Sequence, residues 1–342
     1  MSTGYAIAGA PGADSAEGAA FIYTRNGDSW GLSQTIKSTT HSTVEQFGRY
    51  VAISDGVAAV TSSGTGEVEF FERSGSAWSR TTIVDNGGSL GFGSALDACD
   101  DYIIVGDSSA AVNVGLIRIY HKDGSWLPFT IPAPNAPAQE RFGISVSISG
   151  NYAAVGADWH DSGNSDSGIV FIYQKSGTDT WVEVQTLITA SEPANGCFGR
   201  SLKLRGNSLI VGERGTSTVH FYELVGSQWT FMGTRSIDGV VVNDEFGTAV
   251  AIADGIAAAG AYGKDSNAGT VYPFTLEDGS WKNYNAPLNC PGRQAADYFG
   301  QSLTMSDGFI LVGAYADSSA NGTNAGAAYL YRRVQISGEG AE

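Results

Sequence analysis

The stretch Phe142-Gly-Ile-Ser-Val-Ser-Ile-Ser-Gly-Asn-Tyr-Ala-Ala-Val-Gly-Ala157 encodes two strands and a turn. Ile144, Val146 and Ile148 alternate with serines, the period of two that buries one face of a strand. Gly150-Asn151 tolerates the positive φ that tight type I′ and II′ hairpin turns demand. Ala153-Ala-Val-Gly156 then returns as a second strand, built of small residues that suit a crowded part of a sheet. The leading Phe-Gly recurs at Phe47, Phe92, Phe198, Phe246 and Phe299, with successive spacings of 45, 50, 56, 48 and 53 residues across the six copies. A self-similar period near fifty with no helical pattern fits a four-stranded propeller blade whose loops vary in length.

Each unit reads as strands a to d. Strand a follows Phe-Gly, and the a–b turns are Asp55-Gly56, Asp100-Asp101, Gly150-Asn151, Gly206-Asn207, Asp254-Gly255 and Asp307-Gly308. A variable loop leads to strand c, as in Val170-Phe-Ile-Tyr173, and a second turn such as Asp278-Gly-Ser-Trp281 delivers a tryptophan to strand d. Trp78, Trp126, Trp181, Trp229 and Trp281 lie 31 to 39 residues after the Phe of their units, and Trp30 precedes the first Phe-Gly. The amino-terminal segment supplies b, c and d, and the carboxy-terminal segment a, b and c. The expectation is an all-β, seven-bladed β-propeller of four-stranded antiparallel blades. The units run at about 1–46, 47–91, 92–141, 142–197, 198–245, 246–298 and 299–336, within one domain spanning 1–342. The terminal blades are either incomplete or closed by both chain ends, with Val334 to Ser337 as a candidate closing segment. No helix is needed.

Composition narrows the partners. Lys+Arg 19 against Asp+Glu 35 gives a net charge of −16, a field that repels nucleic-acid backbones and anionic lipid head groups. No run of about eighteen apolar residues offers a membrane-spanning helix, and Met1 to Ala10 lack a signal-peptide pattern, so a secreted form would carry its signal outside this sequence. Cys99, Cys197 and Cys290 form no Cys-x-x-Cys pair and read as free thiols. Catalytic signatures such as nucleophile elbows, P-loops and His-Glu-x-x-His are missing, and His41, His121, His160 and His220 fall in different kinds of segment, so the expectation is no enzyme. A glycan-processing enzyme would need a carboxylate pair brought together in space.

The Phe-Gly elements, the alternating strand that follows and the Gly-Ala-x triplets resemble FG-GAP repeats, the units of the integrin α-subunit amino-terminal propeller. The triplets are Gly9-Ala10-Pro11, Gly156-Ala157-Asp158, Gly260-Ala261-Tyr262 and Gly313-Ala314-Tyr315; the match weakens at Gly106-Asp107-Ser108, Gly212-Glu213-Arg214 and Thr61-Ser62-Ser63. The resemblance implies an extracellular or cell-surface protein, acting in binding or adhesion as a monomeric module or as part of a larger chain. It also implies calcium in Asp-x-Asp-x-Asp-Gly a–b loops, which this chain replaces with two-residue turns; no cofactor is expected there.

The b–c and d–a connections share one edge of such a fold, and the b–c loops vary most, as binding loops on a rigid support do. They repeat Asp-Ser at Asp14, Asp107, Asp161, Asp265 and Asp317. Either these carboxylates converge on a cation or basic segment, or they cap their own turns. The longest loop, 158–168, places Asp158, Trp159, His160, Asp161, Asn164 and Asp166 together. A tryptophan beside carboxylates suits a protein or glycan ligand, or else folds over its own loop. Asp161, Asn164 and Asp166 form an alternative calcium set that lacks EF-hand spacing. One glycosylation sequon, Asn321-Gly-Thr323, falls in the last b–c loop.

Overall fold

The computed structural model describes residues 1–38, 45–123, 125–134, 140–177, 179–253, 255–284, 286–318, 322 and 324–332. His41, Asp254, the sequon residues Asn321 and Thr323, and the segment Val334 to Ser337 lie outside them. The fold is a seven-bladed β-propeller: among the described residues five sheets are four-stranded and two three-stranded, each strand pairing antiparallel with its sequence neighbour. The three-stranded sheets are the terminal ones, Tyr5–Ala10, Ala19–Asn26 and Ser29–Ile36 at one end and Phe299–Ser306, Phe309–Ala314 and Ala327–Arg332 at the other. These are strands b–c–d and a–b–c, as the repeat reading expects.

The chain divides into two compact units. The first, Met1–His160 with Phe171–Thr186, holds blades 1 to 4; the second, Asp161–Val170 with Leu187–Glu342, holds blades 5 to 7. Within each unit, the a strands of successive blades lie side by side. The apolar cores are the layers between blades. Phe47 and Trp78 share the layer between blades 1 and 2, Phe92 and Trp126 that between blades 2 and 3, and Phe246 and Trp281 that between blades 5 and 6. The tryptophan phase follows from this packing. Trp281 stacks on Phe221 of the preceding blade at 4.6 Å, and its indole N–H donates to Glu223 at 3.4 Å; Trp126 donates to Glu72 at 3.0 Å. Trp126 itself differs from expectation: it precedes its strand, Pro128–Pro132, and sits at φ 51°.

The Phe-Gly and Gly-Ala-x elements meet between neighbouring blades. All six Phe side chains are fully buried, and the glycine after each has positive φ, in five blades beside a shift of register with strand b. A β-carbon on Gly260 would lie 1.9 Å from the Gly300 carbonyl oxygen, and one on Gly9 equally close to that of Gly48. Adjacent blades approach backbone to backbone here, which only glycine permits. In blade 2 Thr61 replaces this glycine, and its hydroxyl donates to the Gly93 carbonyl at 3.0 Å instead.

Helical turns do occur, contrary to the expectation of none. Ala13–Ala16, Ala110–Asn113 and Lys264–Asn267 are four-residue turns in b–c loops, and Arg214–Thr216 and Val242–Asp244 are single 3-10 turns. The first three are largely left-handed: Asp14, Ser15 and Ala16 have φ of 50°, 61° and 72°, and the other two match them closely. Asp and Asn tolerate this region better than other L residues, so the backbone itself accounts for Asp14 and Asp265 in these loops.

Candidate functional site

Two positions per repeat recur at the edge carrying the b–c and d–a connections. One is the residue before Phe-Gly, the other the third residue of Gly-Ala-x. The first is left-handed wherever it is not glycine: Gln46, Arg141, Cys197, Glu245 and Tyr298 have φ between 51° and 59°. In four of them the N–H is tied to the preceding b–c loop, as in Gln46 to the Ala16 carbonyl at 3.1 Å and Tyr298 to that of Asn267 at 2.8 Å, while the Glu245 N–H bonds to the Val242 carbonyl at 3.0 Å in its own connection. The two positions touch. Ser63 donates to Gln46 at 3.1 Å, Arg141 pairs with Asp158 at 3.4 Å, and Arg214 pairs with Glu245 at 3.5 Å.

In the second unit this row ends in three tyrosines. Tyr262 and Tyr315 close their Gly-Ala-x triplets, and Tyr298 precedes Phe299 between them in space. The Tyr298 and Tyr315 rings stack with centroids 4.7 Å apart at 27°, and Tyr262 lies 6.2 Å from Tyr298. Tyr315 is 55% exposed. Burial first, then the Glu245 charge, raises the Tyr262 hydroxyl above its ordinary value, while Arg214 and Arg200 oppose the shift. The result is an aromatic platform bordered by one carboxylate and two guanidinium groups.

Residues 158–160 of loop 158–168 belong to the first unit and 161–168 to the second. In the first unit Asp158 is buried and paired with Arg141, whose guanidinium carbon lies 4.2 Å from the Trp159 ring centroid. Trp159 is half-buried, with this cation over one face, and His160 reaches Glu140 at 2.9 Å. In the second unit Asp161 accepts the Asp166 N–H at 2.9 Å, and the Asn164 amide donates to the Glu192 carbonyl at 2.8 Å. These are the local ties that loop-stabilising Asx residues make.

The other Asp-Ser carboxylates have partners of their own. Asp14 pairs with Lys37, Asp265 with Arg293 at 2.7 Å, and Asp107 accepts from Asn86 at 2.7 Å and from Ser89 and Ser109 at 3.1 Å. Asp317 accepts from the Tyr329 hydroxyl at 2.7 Å and the Cys290 thiol at 3.0 Å. All three cysteines are free thiols.

Three described histidines each face a carboxylate, on three different blades. His121, the last residue of strand c rather than part of the c–d turn, stacks on Tyr102 and meets Asp179 from the next blade at 3.1 Å, with Asp123 close by. That Asp179 carboxylate is a neighbour that only folding supplies, since the two residues lie far apart in the chain. His220 in strand c meets Glu213 at 2.9 Å, and its other ring nitrogen faces the Thr234 hydroxyl at 3.0 Å. Burial pushes the Glu213 carboxyl up, but hydrogen bonds with His220, Thr216 and Thr218 outweigh it and hold the group below its ordinary value.

The tyrosine platform escaped a sequence reading centred on loop length and Asp-Ser. The signal was present in two framework positions that flank invariant-looking elements: the third residue of the triplet and the residue before Phe.

Known proteins point the same way for the fold. The family described as FG-GAP repeat matches residues 130–173 and 290–331. No curated protein sequence matches the chain. Among solved structures, Kluyveromyces lactis Hsv2 is similar with a TM-score of 0.52 at 12% identity, covering 79% of this chain and 83% of that one; at such identity the likeness is one of fold. Two stretches that match the FG-GAP repeat thus lie among the blades of a seven-bladed β-propeller.

Proposed function

We propose that the protein is a non-enzymatic binding module of the extracellular space or cell surface, and that it holds a protein or glycan partner on its b–c and d–a edge. The observation that carries this reading is the stack of Tyr262, Tyr298 and Tyr315. Tyrosine supplies a large, rigid contact area at low entropic cost, with a hydroxyl for orientation, which is why it anchors so many interfaces. Tyr298 is held in a left-handed conformation that a bulky residue seldom adopts. Backbone bonds to the neighbouring loop fix it there, so its ring is positioned before any partner arrives.

The test is binding of the intact protein to a glycan array and to a panel of extracellular-matrix proteins. Tyr315→Ala and Tyr262→Ala are expected to weaken binding by about tenfold or more each. The pair Trp159→Ala with Asp161→Ala serves as the comparison, and its effect is expected to be smaller, since both groups are already engaged within their own loop. Binding that survives both tyrosine substitutions would remove the platform from the reading. No binding on either panel would favour a purely structural module of a larger surface protein.

A further inference from the structure

We propose that Cys290, Asp297 and Asp317 form a binding site for one divalent transition-metal ion of the zinc class. Their ligand atoms lie within 4.8 Å of one another, and the residues are 4%, 4% and 7% exposed. Cys290 and Asp297 come from the d–a connection that leads into Phe299–Ser306, and Asp317 from the b–c loop after Phe309–Ala314. Two segments separated by a whole hairpin thus deliver a thiol and two carboxyl groups to one point.

The environment lacks a counter-charge. Asp317 accepts from a thiol and a phenol through the same oxygen, Oδ2, and Asp297 Oδ2 accepts the Gln294 backbone N–H at 2.6 Å. Among the described residues, no Lys or Arg forms an ion pair with either one; the nearby Arg293 is spent on Asp265 and Thr270. Burying two carboxyl groups side by side with no cation between them is costly in free energy. A divalent ion resolves this: the metal–sulfur bond forms as the Cys290 proton leaves to solvent, and the two carboxylates complete a three-ligand set. A thiolate ligand argues against calcium and magnesium, which take oxygen only, and a mixed sulfur–oxygen set suits tetrahedral zinc, with water in the fourth position. The Tyr329 hydroxyl, 2.7 Å from Asp317, orients that carboxylate from outside the ligand set.

The placement has a consequence. Asp297 immediately precedes Tyr298, and Asp317 follows Tyr315 by two residues, so an ion here would pin the two loops that carry the stacked rings. The metal site stands independently of any ligand on that platform.

Zinc chloride and cobalt chloride are the probes, added to the intact protein after chelator treatment. Expected results are binding of one zinc ion per chain by calorimetry, a rise in melting temperature that chelator reverses, and a thiolate-to-cobalt charge-transfer band in the near ultraviolet. Cys290→Ser is expected to abolish the band and Asp297→Asn to weaken zinc binding by about 10- to 100-fold, whereas Cys99→Ser and Cys197→Ser keep both signals. The proposal fails if the wild-type protein shows no thiolate band or no stoichiometric zinc binding. It fails equally if the band persists in Cys290→Ser. Should Cys290→Ser not fold, the wild-type cobalt spectrum together with Asp297→Asn still decides.

Discussion

At the residue scale, glycine placement controls how closely blades approach, and two glycines of opposite character make this measurable. Gly260 has the Gly300 carbonyl where its β-carbon would go, at 1.9 Å, while Gly12 has nothing within 4 Å and an ordinary negative φ of −88°. Gly260→Ala forces neighbouring backbones apart and is expected to cost about 3 kcal/mol or more, at the upper end of overpacking penalties. Gly12→Ala is expected to be neutral or slightly stabilising, because it restricts only the unfolded chain. Denaturant titration of both variants checks the contrast; equal costs would show that the inter-blade contact is not a backbone one. Val112 offers the converse case. It is β-branched, 76% exposed and held at φ 61° in the second left-handed turn, where the equivalent residues are Ser15 and Ser266. Val112→Gly removes that strain without removing a packed side chain, and is expected to stabilise the protein by about 1 kcal/mol in the same titration. A loss of stability would mean that the left-handed turn does not form.

At the element scale, blade 5 couples two strands through a buried charged contact. Glu213 ends strand b, Ser208–Glu213, and His220 lies in strand c, Thr218–Val225; both are more than nine-tenths buried. With its folded pKa held below the ordinary 4.5, ionised Glu213 adds stability that is complete above the unfolded value and is lost as pH falls through the folded value. Melting curves between about pH 6 and pH 3 are expected to show Glu213→Gln losing less stability on acidification than the wild type. Parallel curves would remove Glu213 from the acid response. The sequence announced blade 5 through Phe198-Gly199 and Trp229, because burial of one face leaves a period-two trace and inter-blade wedges need aromatics at fixed phase. The Glu213–His220 contact left no such trace. Its partners are seven residues apart across a loop, and only the hairpin register turns them toward each other. The tyrosine stack is harder still to foresee, since Tyr298 and Tyr262 are joined by approach between blades rather than by periodicity. Trp126 shows the opposite error: a correct phase in the chain did not guarantee a strand, because a left-handed turn delivers the same indole to the same layer.

At the scale of the whole molecule, the excess of acid is the dominant electrostatic fact. Thirty-five acidic residues against nineteen basic ones leave −16, and surface pairs such as Lys282–Glu277 at 3.1 Å, both about half-exposed, contribute little against it. Self-repulsion of like charge therefore acts on the folded state more than on the expanded one. Screening shortens its reach from about 30 Å at 0.01 M ionic strength to about 8 Å at 0.15 M. The melting temperature is thus expected to rise with sodium chloride over this interval, at fixed neutral pH, and to level off once the screening length falls below the spacing of surface charges. A fall in melting temperature over the same interval would mean that attractive ion pairs outweigh the net repulsion. Chelator present throughout separates this non-specific response from any stabilisation by an ion at Cys290, which depends on metal identity and saturates at one equivalent rather than following ionic strength.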